Sequence, residues 1–262
     1  MEEKKQRMLE LIELLNRASK AYYQEATEIM SNFEYDKLYD ELLALEVDNA
    51  IKNGYMPVVI GGDHSLAIGS IAGVSKNYEI GVIWIDTHPD SNTNETTTTF
   101  HIHGYPLGAS MGFGQNELTN LYFDDIKVKS ENVVMFGIDD IDEPEQQLIN
   151  QYNIKNFSYK DVEKYGIDYC INETINYLKN KVDYIHISFD IDVITTLDSP
   201  GVSVPNRWNN GLSQNDALKA VSSFLDNLNV VSMDIVEYNP LTDKDNKSQE
   251  IVLETINILN KK

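Results

Sequence analysis

IGVIWIDTHPDSNT (80–93) reads as a buried strand that ends in charge. Its Val- and Ile-rich start suits a strand covered on both faces. Asp86, His88 and Asp90 then come at alternate positions. In an extended segment alternate side chains point to one side, so this Asp-x-His-x-Asp presents three ligating groups together. Four further runs share the texture: MPVVIGG (56–62), NVVMFGI (132–138), DYIHISFDID (183–192) and NVVSMDIVE (229–237). Between them lie amphipathic patterns such as VEKYGIDYCINETINYLKN (162–180) and SQNDALKAVSSFLDNL (213–228). This alternation predicts an α/β fold, three layers α/β/α around a mainly parallel sheet, with these runs as central strands.

The polar residues at the ends of the strands are the informative part. MPVVIGG runs into Asp63-His64, YIHISF into Asp190-Ile191-Asp192, and NVVSMDIV ends in Glu237. The carboxyl ends of parallel strands share one edge, and ligands bind there. One rim would therefore hold two imidazoles and at least five carboxylates. Like charges so crowded raise one another's pKa, and bound cations remove the problem. Imidazole beside carboxylate favours manganese, iron, cobalt, nickel or zinc over magnesium or calcium. His64, Asp86, His88, Asp90, Asp190 and Asp192 are too many for one ion. They suit two, with bridging carboxylates and a water of lowered pKa. Singly, each has a blander reading: Asp63 as the cap of a helix opening at Ser65, and His186 as a mid-strand packing residue. The ordered combination carries the argument.

The chain has 262 residues and a net charge of −21, which argues against a phosphate-binding basic footprint and so against nucleic acid. It suits a cationic substrate or metal ions. Hydrophobic residues make up 42%, too many for a disordered chain. No apolar run approaches a membrane span and no apolar leader opens the chain, so a cytoplasmic protein is expected. The single cysteine, Cys170, excludes an internal disulfide and a Cys₄ zinc site. Residues 1–46 read as two helices, with stripes at Met8, Leu11, Ile12, Leu15 and at Tyr35, Leu38, Tyr39, Leu42, broken near Ser31-Asn32. Residues 1–46 and 47–262 are expected to be separate units.

GGDHSLAIGS (61–70), WIDTHPDSNT (84–93), IHGYPLG (102–108), SFDID (188–192) and DIVEYNP (234–240) together resemble the arginase or ureohydrolase family of dimanganese hydrolases. The resemblance implies two Mn²⁺ per chain. His64, Asp86, Asp90 and Asp190 would hold one, and Asp86, His88, Asp190 and Asp192 the other. His103 stands at the position of the proton-shuttling histidine and Glu237 at that of the carboxylate facing the guanidinium. NTNETTTTFHIHG (92–104) is similar to the loop receiving an amino-acid carboxylate, with Asn92, Thr97 and Thr99 as contacts; Phe100 and His101 replace a Gly and an Asn. GIDDIDEPEQQ (137–147) is similar to the segment binding the α-amino group, which points to Asp142 and Glu145, with Pro144 replacing a Gly. SPGVSVPNRWNNGLS (199–213) departs further, with two residues added before Leu212. The implied substrate is a small cationic amino acid, arginine, giving ornithine and urea. Formimidoylglutamate and agmatine are the alternatives. A homo-oligomer, trimer or hexamer, is implied by analogy with the family.

The leading segment has a different resemblance. LLNRASKAYYQEATEIMSNFEYDKLYDELLALE (14–46) is similar to the first helical subdomain of NAD-dependent DNA ligases, with Tyr22, Tyr35 and Asp36 matching and Asn32 in place of an Asp. That implies a nicotinamide-nucleotide site. Ligase activity itself is excluded, because no Lys-x-Asp-Gly is present. The segment stands where the hydrolase family has its first strands, whose loss would expose a hydrophobic strand. An inert fusion product or a nucleotide-binding module is the competing expectation of another class.

Overall fold

The structure is a computed structural model and describes residues 2–261. The elements are α1 (Glu2–Glu25), α2 (Asn32–Lys52), β1 (Val58–Ile60), α3 (Ala67–Ser75), β2 (Ile80–Ile85), α4 (Pro106–Ser110), α5 (Asn116–Thr119), β3 (Val133–Phe136), α6 (Glu143–Tyr152), β4 (Lys155–Phe157), α7 (Tyr159–Tyr165), α8 (Ile167–Lys179), β5 (Tyr184–Asp190), α9 (Gln214–Asn227), β6 (Val230–Val236) and α10 (Lys247–Leu259). The strands form one sheet of order β1-β6-β5-β2-β3-β4, and each strand pair is parallel. From β2 the chain winds to β3 and β4 on one side, and from β5 to β6 on the other. The order thus reverses between adjacent β2 and β5, where an α/β sheet opens its crevice.

Alternation along the strands builds both cores. Ile83 and Ile85 of β2 join Phe136, Phe189 and Ile235 under α8, α9 and α10, packed on Ile171, Phe224 and Ile251. Val82 and Trp84 face the other way, with Met135, Ile71, Leu107 and Ile149 beneath α3, α4 and α6. The three-layer α/β/α architecture is as the sequence indicates.

Two expectations change. The first apolar run is not central: β1 is an edge strand preceded by Pro57, with Val58 37% and Ile60 54% exposed. The single helix read over 162–180 is two, broken at Gly166, whose φ of +86° a side chain would resist.

The leading helices are built into this body. α2 starts at a Ser31–Glu34 capping box and runs unbroken across residue 46 to Lys52. Its backbone lies so near α3 that a Cβ on Gly69 would come 2.6 Å from Asp40 O, and one on Gly73 2.6 Å from Ala44 O. Ala44, Val47 and Ile51 fill the contact. Asp48, buried at its C-terminal end, accepts hydrogen bonds from Lys4 (2.7 Å), Lys52 (2.7 Å), Tyr122 (2.6 Å) and Asn77 (2.8 Å). Burial alone would push this carboxyl up, but the four donors outweigh it and hold it well below the usual carboxylate range. One ion thereby ties α1, α2, the turn between α3 and β2 and the 120s loop together.

Candidate metal centre

The rim above β2 and β5 gathers the ligating side chains. His64 comes after β1 in a 3-10 turn (His64–Leu66) that Asp63 caps through a bond from Ser65 N, 2.9 Å, the capping role expected of Asp63. Its ring stacks on Trp84, centroids 4.0 Å apart and nearly coplanar, and Ser188 Oγ lies 2.8 Å from Nε2. Nδ1 therefore faces inward. There it meets Asp86 Oδ2 at 3.0 Å, Asp90 Oδ2 at 3.1 Å and Asp190 Oδ2 at 3.1 Å. One imidazole N–H cannot serve three carboxylates, and both His64 Nδ1 and Asp86 Oδ2 are buried without a well-formed hydrogen bond. Four ligand atoms converging on one point with no well-formed hydrogen bond among them fit a cation.

A second convergence adjoins the first. His88 Nδ1 lies 3.0 Å from Asp192 Oδ2 and 3.5 Å from Asp86 Oδ1. The atoms of His64, Asp86 and Asp190 lie within 4.8 Å of one another, as do those of Asp86, His88 and Asp192. Asp86 thus offers one oxygen to each group. Asp190 Oδ1 accepts Asp192 N at 2.7 Å, and Asp86 Oδ1 accepts His88 N at 2.7 Å, so backbone amides orient both carboxylates. Burial, then the charges of Asp192 and Asp86, pushes Asp190 well above the usual carboxylate range. Burial and the charge of Asp86 take Asp192 to about 7. Burial disfavours a charged imidazole, yet the surrounding carboxylates overcome it and raise His64 and His88. The donor set fits a pair of divalent ions, which would replace these protons.

The Asp-x-His-x-Asp segment is not simply extended, as alternation alone would have it: Asp90 has φ of +45°. Glu237, just past β6, has φ of +63°. A left-handed glutamate is uncommon, and such conformations cluster at working sites. Its Oε1 accepts His64 N at 2.9 Å. His103 sits in a 3-10 turn (Ile102–Gly104) with Nδ1 3.1 Å from Asp63 Oδ2, and Asp63, His103 and Glu237 form a third close group. No sequence signal points to the Asp63 contact, since the two residues lie 40 positions apart.

All of this opens into a cavity of about 620 Å³. Asn92, Thr97, Thr99, Asp142 and Glu145 line it with the six histidine and aspartate groups, His103 and Glu237, except Asp86, which lies beneath. Asn92 Nδ2 donates to Asp142 Oδ2 at 2.8 Å. Asp142 and Glu145 also form the capping box of α6, and Glu145 accepts Ser91 N at 3.2 Å. Burial, then Asp142 and Asp90, pushes the Glu145 carboxyl up to about 8. Phe100 stands exposed on this loop with φ of +60°, a conformation that favours the glycine of the family's pattern. His186 lies outside the site, buried between Ser232 (2.7 Å) and Asp234 (3.1 Å), so its packing role is a polar one.

The profile of the arginase family matches residues 8–258. The chain belongs to the arginase family. The arginase of Bacillus caldovelox is 40% identical to this family member over 215 residues, 82% of this chain and 71% of the relative. The crystal structure of the Bacillus caldovelox arginase superposes with a TM-score of 0.84 at 38% identity, covering 88% of this chain and 77% of that one. The formimidoylglutamase of Bacillus subtilis shares the fold, with a TM-score of 0.75 at 19% identity, 89% of this chain and 68% of that one. Among the described residues of this arginase-family chain no helix is long and apolar enough to cross a membrane.

Proposed function

We propose that the protein hydrolyses L-arginine to L-ornithine and urea with two manganese ions, held by His64, Asp86, Asp90 and Asp190 and by Asp86, His88, Asp190 and Asp192. The observation that carries this is His64 Nδ1 facing three carboxylate oxygens at 3.0–3.1 Å with no hydrogen bond formed. Bound cations of this kind supply Lewis acidity that makes water nucleophilic at neutral pH. Glu237, anchored by His64 N, holds the always-charged guanidinium with its carbon turned to the metal rim. Water adds to that carbon, the C–N bond to the side chain breaks, and His103 delivers the proton that the departing amine needs. Asn92, Thr97 and Thr99 take the amino-acid carboxylate and Asp142 and Glu145 the ammonium. Arginine is favoured over formimidoylglutamate because the 40% relative is an arginase, whereas the formimidoylglutamase likeness extends to fold alone.

The test is a panel of arginine, agmatine, formimidoylglutamate and guanidinobutyrate on manganese-loaded protein. Urea from arginine at the highest kcat/KM is expected. No urea from arginine overturns the reading, and formamide from formimidoylglutamate alone would assign that substrate instead.

A second reading concerns the leading helices alone. Tyr22, Tyr23, Tyr35 and Asp36 line a separate cleft of about 350 Å³ between α1 and α2. The cleft supports a nicotinamide-nucleotide site there, since aromatic faces beside a carboxylate suit a pyridinium. Calorimetric titration with nicotinamide mononucleotide should then give saturable heat, lost in Tyr22→Ala; no heat in the native protein refutes it.

A further inference from the structure

Arg207 is the one lysine or arginine lining the metal cavity among the described residues. It comes from the 199–213 loop. The loop is fixed in place. Asn206, buried, donates to Thr87 Oγ1 at 2.6 Å, and its own Oδ1 accepts Trp208 N at 2.7 Å. Asn210 Nδ2 donates to Asp139 Oδ2 at 2.9 Å. Gly211 closes the loop so near to Val193 O that a Cβ would lie 2.7 Å from it.

Arg207 itself is held edge-on by buried Asp140. Nε donates to Oδ2 at 2.9 Å, Nη2 lies 2.7 Å from Oδ1, and the Arg207 backbone N–H donates to Oδ2 at 3.2 Å. A guanidinium has five donors in a planar fork. Asp140 takes the Nε side, which leaves Nη1 and the outer hydrogen of Nη2 as a second, end-on fork. That fork has the spacing of a carboxylate, and its orientation is set before any ligand arrives.

We infer that Arg207 is a specificity-determining residue, whose free fork binds the carboxylate of the amino-acid substrate at the cavity mouth. The inference rests on the arginine reading above. The cavity is otherwise rich in aspartate and glutamate, suited to the two cationic ends of arginine and hostile to its carboxylate. Arg207 would offset that repulsion without touching the guanidinium end.

The experiment uses manganese-loaded protein, native and Arg207→Gln, with KM and kcat for L-arginine and inhibition constants for L-ornithine and L-ornithinamide. Ornithinamide keeps both amines and lacks the carboxylate charge. In Arg207→Gln the KM for arginine and the inhibition constant of ornithine should each rise about tenfold, with kcat within about twofold and ornithinamide unchanged. Equal weakening of both inhibitors, or of neither, overturns the inference. So does a loss of kcat with bound metal, which would mean that Arg207 acts through Asp140 on His88, whose Nε2 is 4.0 Å from Asp140. Absence of urea from the native protein would defeat the arginine reading instead, and ornithine binding by calorimetry would still report on Arg207.

Discussion

Asp86→Ala is expected to lower kcat for urea release at least about a thousandfold, roughly 4 kcal/mol of transition-state stabilisation. Asp86 has one oxygen in each convergent group, at 3.0 Å from His64 Nδ1 and 3.5 Å from His88 Nδ1. Its loss therefore removes a ligand from both ions, and elemental analysis should find at most one equivalent retained. A second signature separates this from simple misfolding. Without metal, Asp86 is a buried carboxylate among Asp90, Asp190 and Asp192, and its negative charge raises all three. Asp86 is itself held in its charged form by hydrogen bonds and charge from His64 and His88, so the metal-free variant should melt lower than the metal-free native protein but still cooperatively. The rise in melting temperature on adding manganese should shrink, because stabilisation by a ligand depends on its affinity. Full activity with a full complement of metal would refute the assignment.

His103→Ala should lower kcat by about 10²- to 10⁴-fold while changing KM little, the range for losing a general acid. The contacts of the imidazole support the proposed role. It shares a close group with Glu237 at the cavity wall, while Asp63 takes Nδ1 and leaves Nε2 for transfer. Asp63 also sets its proton affinity: the hydrogen bond to that carboxylate, working against partial burial, raises His103 above the ordinary histidine value. Added imidazole should restore part of the rate in the alanine variant. A variant with native kcat would place the proton donor elsewhere.

Much of the fold and the site is legible in the sequence because the relevant signals are local. Strands β2, β5 and β6 are runs buried along most of their length, and the candidate site residues stand at their carboxyl ends or just past them. Short range is enough for Asp86, His88, Asp190 and Asp192. The features that escape depend on distance or on weak patterns. Strand β4 is three residues, Lys-Asn-Phe, with no apolar periodicity, and is recruited only because β3 offers it an edge. Helix α10 comes after Asn246 with φ of +57°, and its first amides, Ser248 N and Gln249 N, are taken not by that residue but by Asp243, at 3.1 and 3.0 Å, so the cap lies away from the position where one is sought. Asp63 against His103 and Asp140 against Arg207 pair residues 40 and 67 positions apart, which no spacing rule reaches. Strand β1 reads as central because its Val and Ile are the residues of an inner strand, although it pairs with β6 alone.

That edge bears on how copies of the molecule meet in concentrated solution. An open row of peptide groups flanked by Val58 and Ile60 invites sheet-to-sheet zippering. Here the row is three residues long, and Pro57 contributes no donor before it. A neighbouring chain docking there gains too few ladder bonds to outweigh the loss of its own freedom, so the brevity of this border protects against fibril growth while its greasy side chains stay in view.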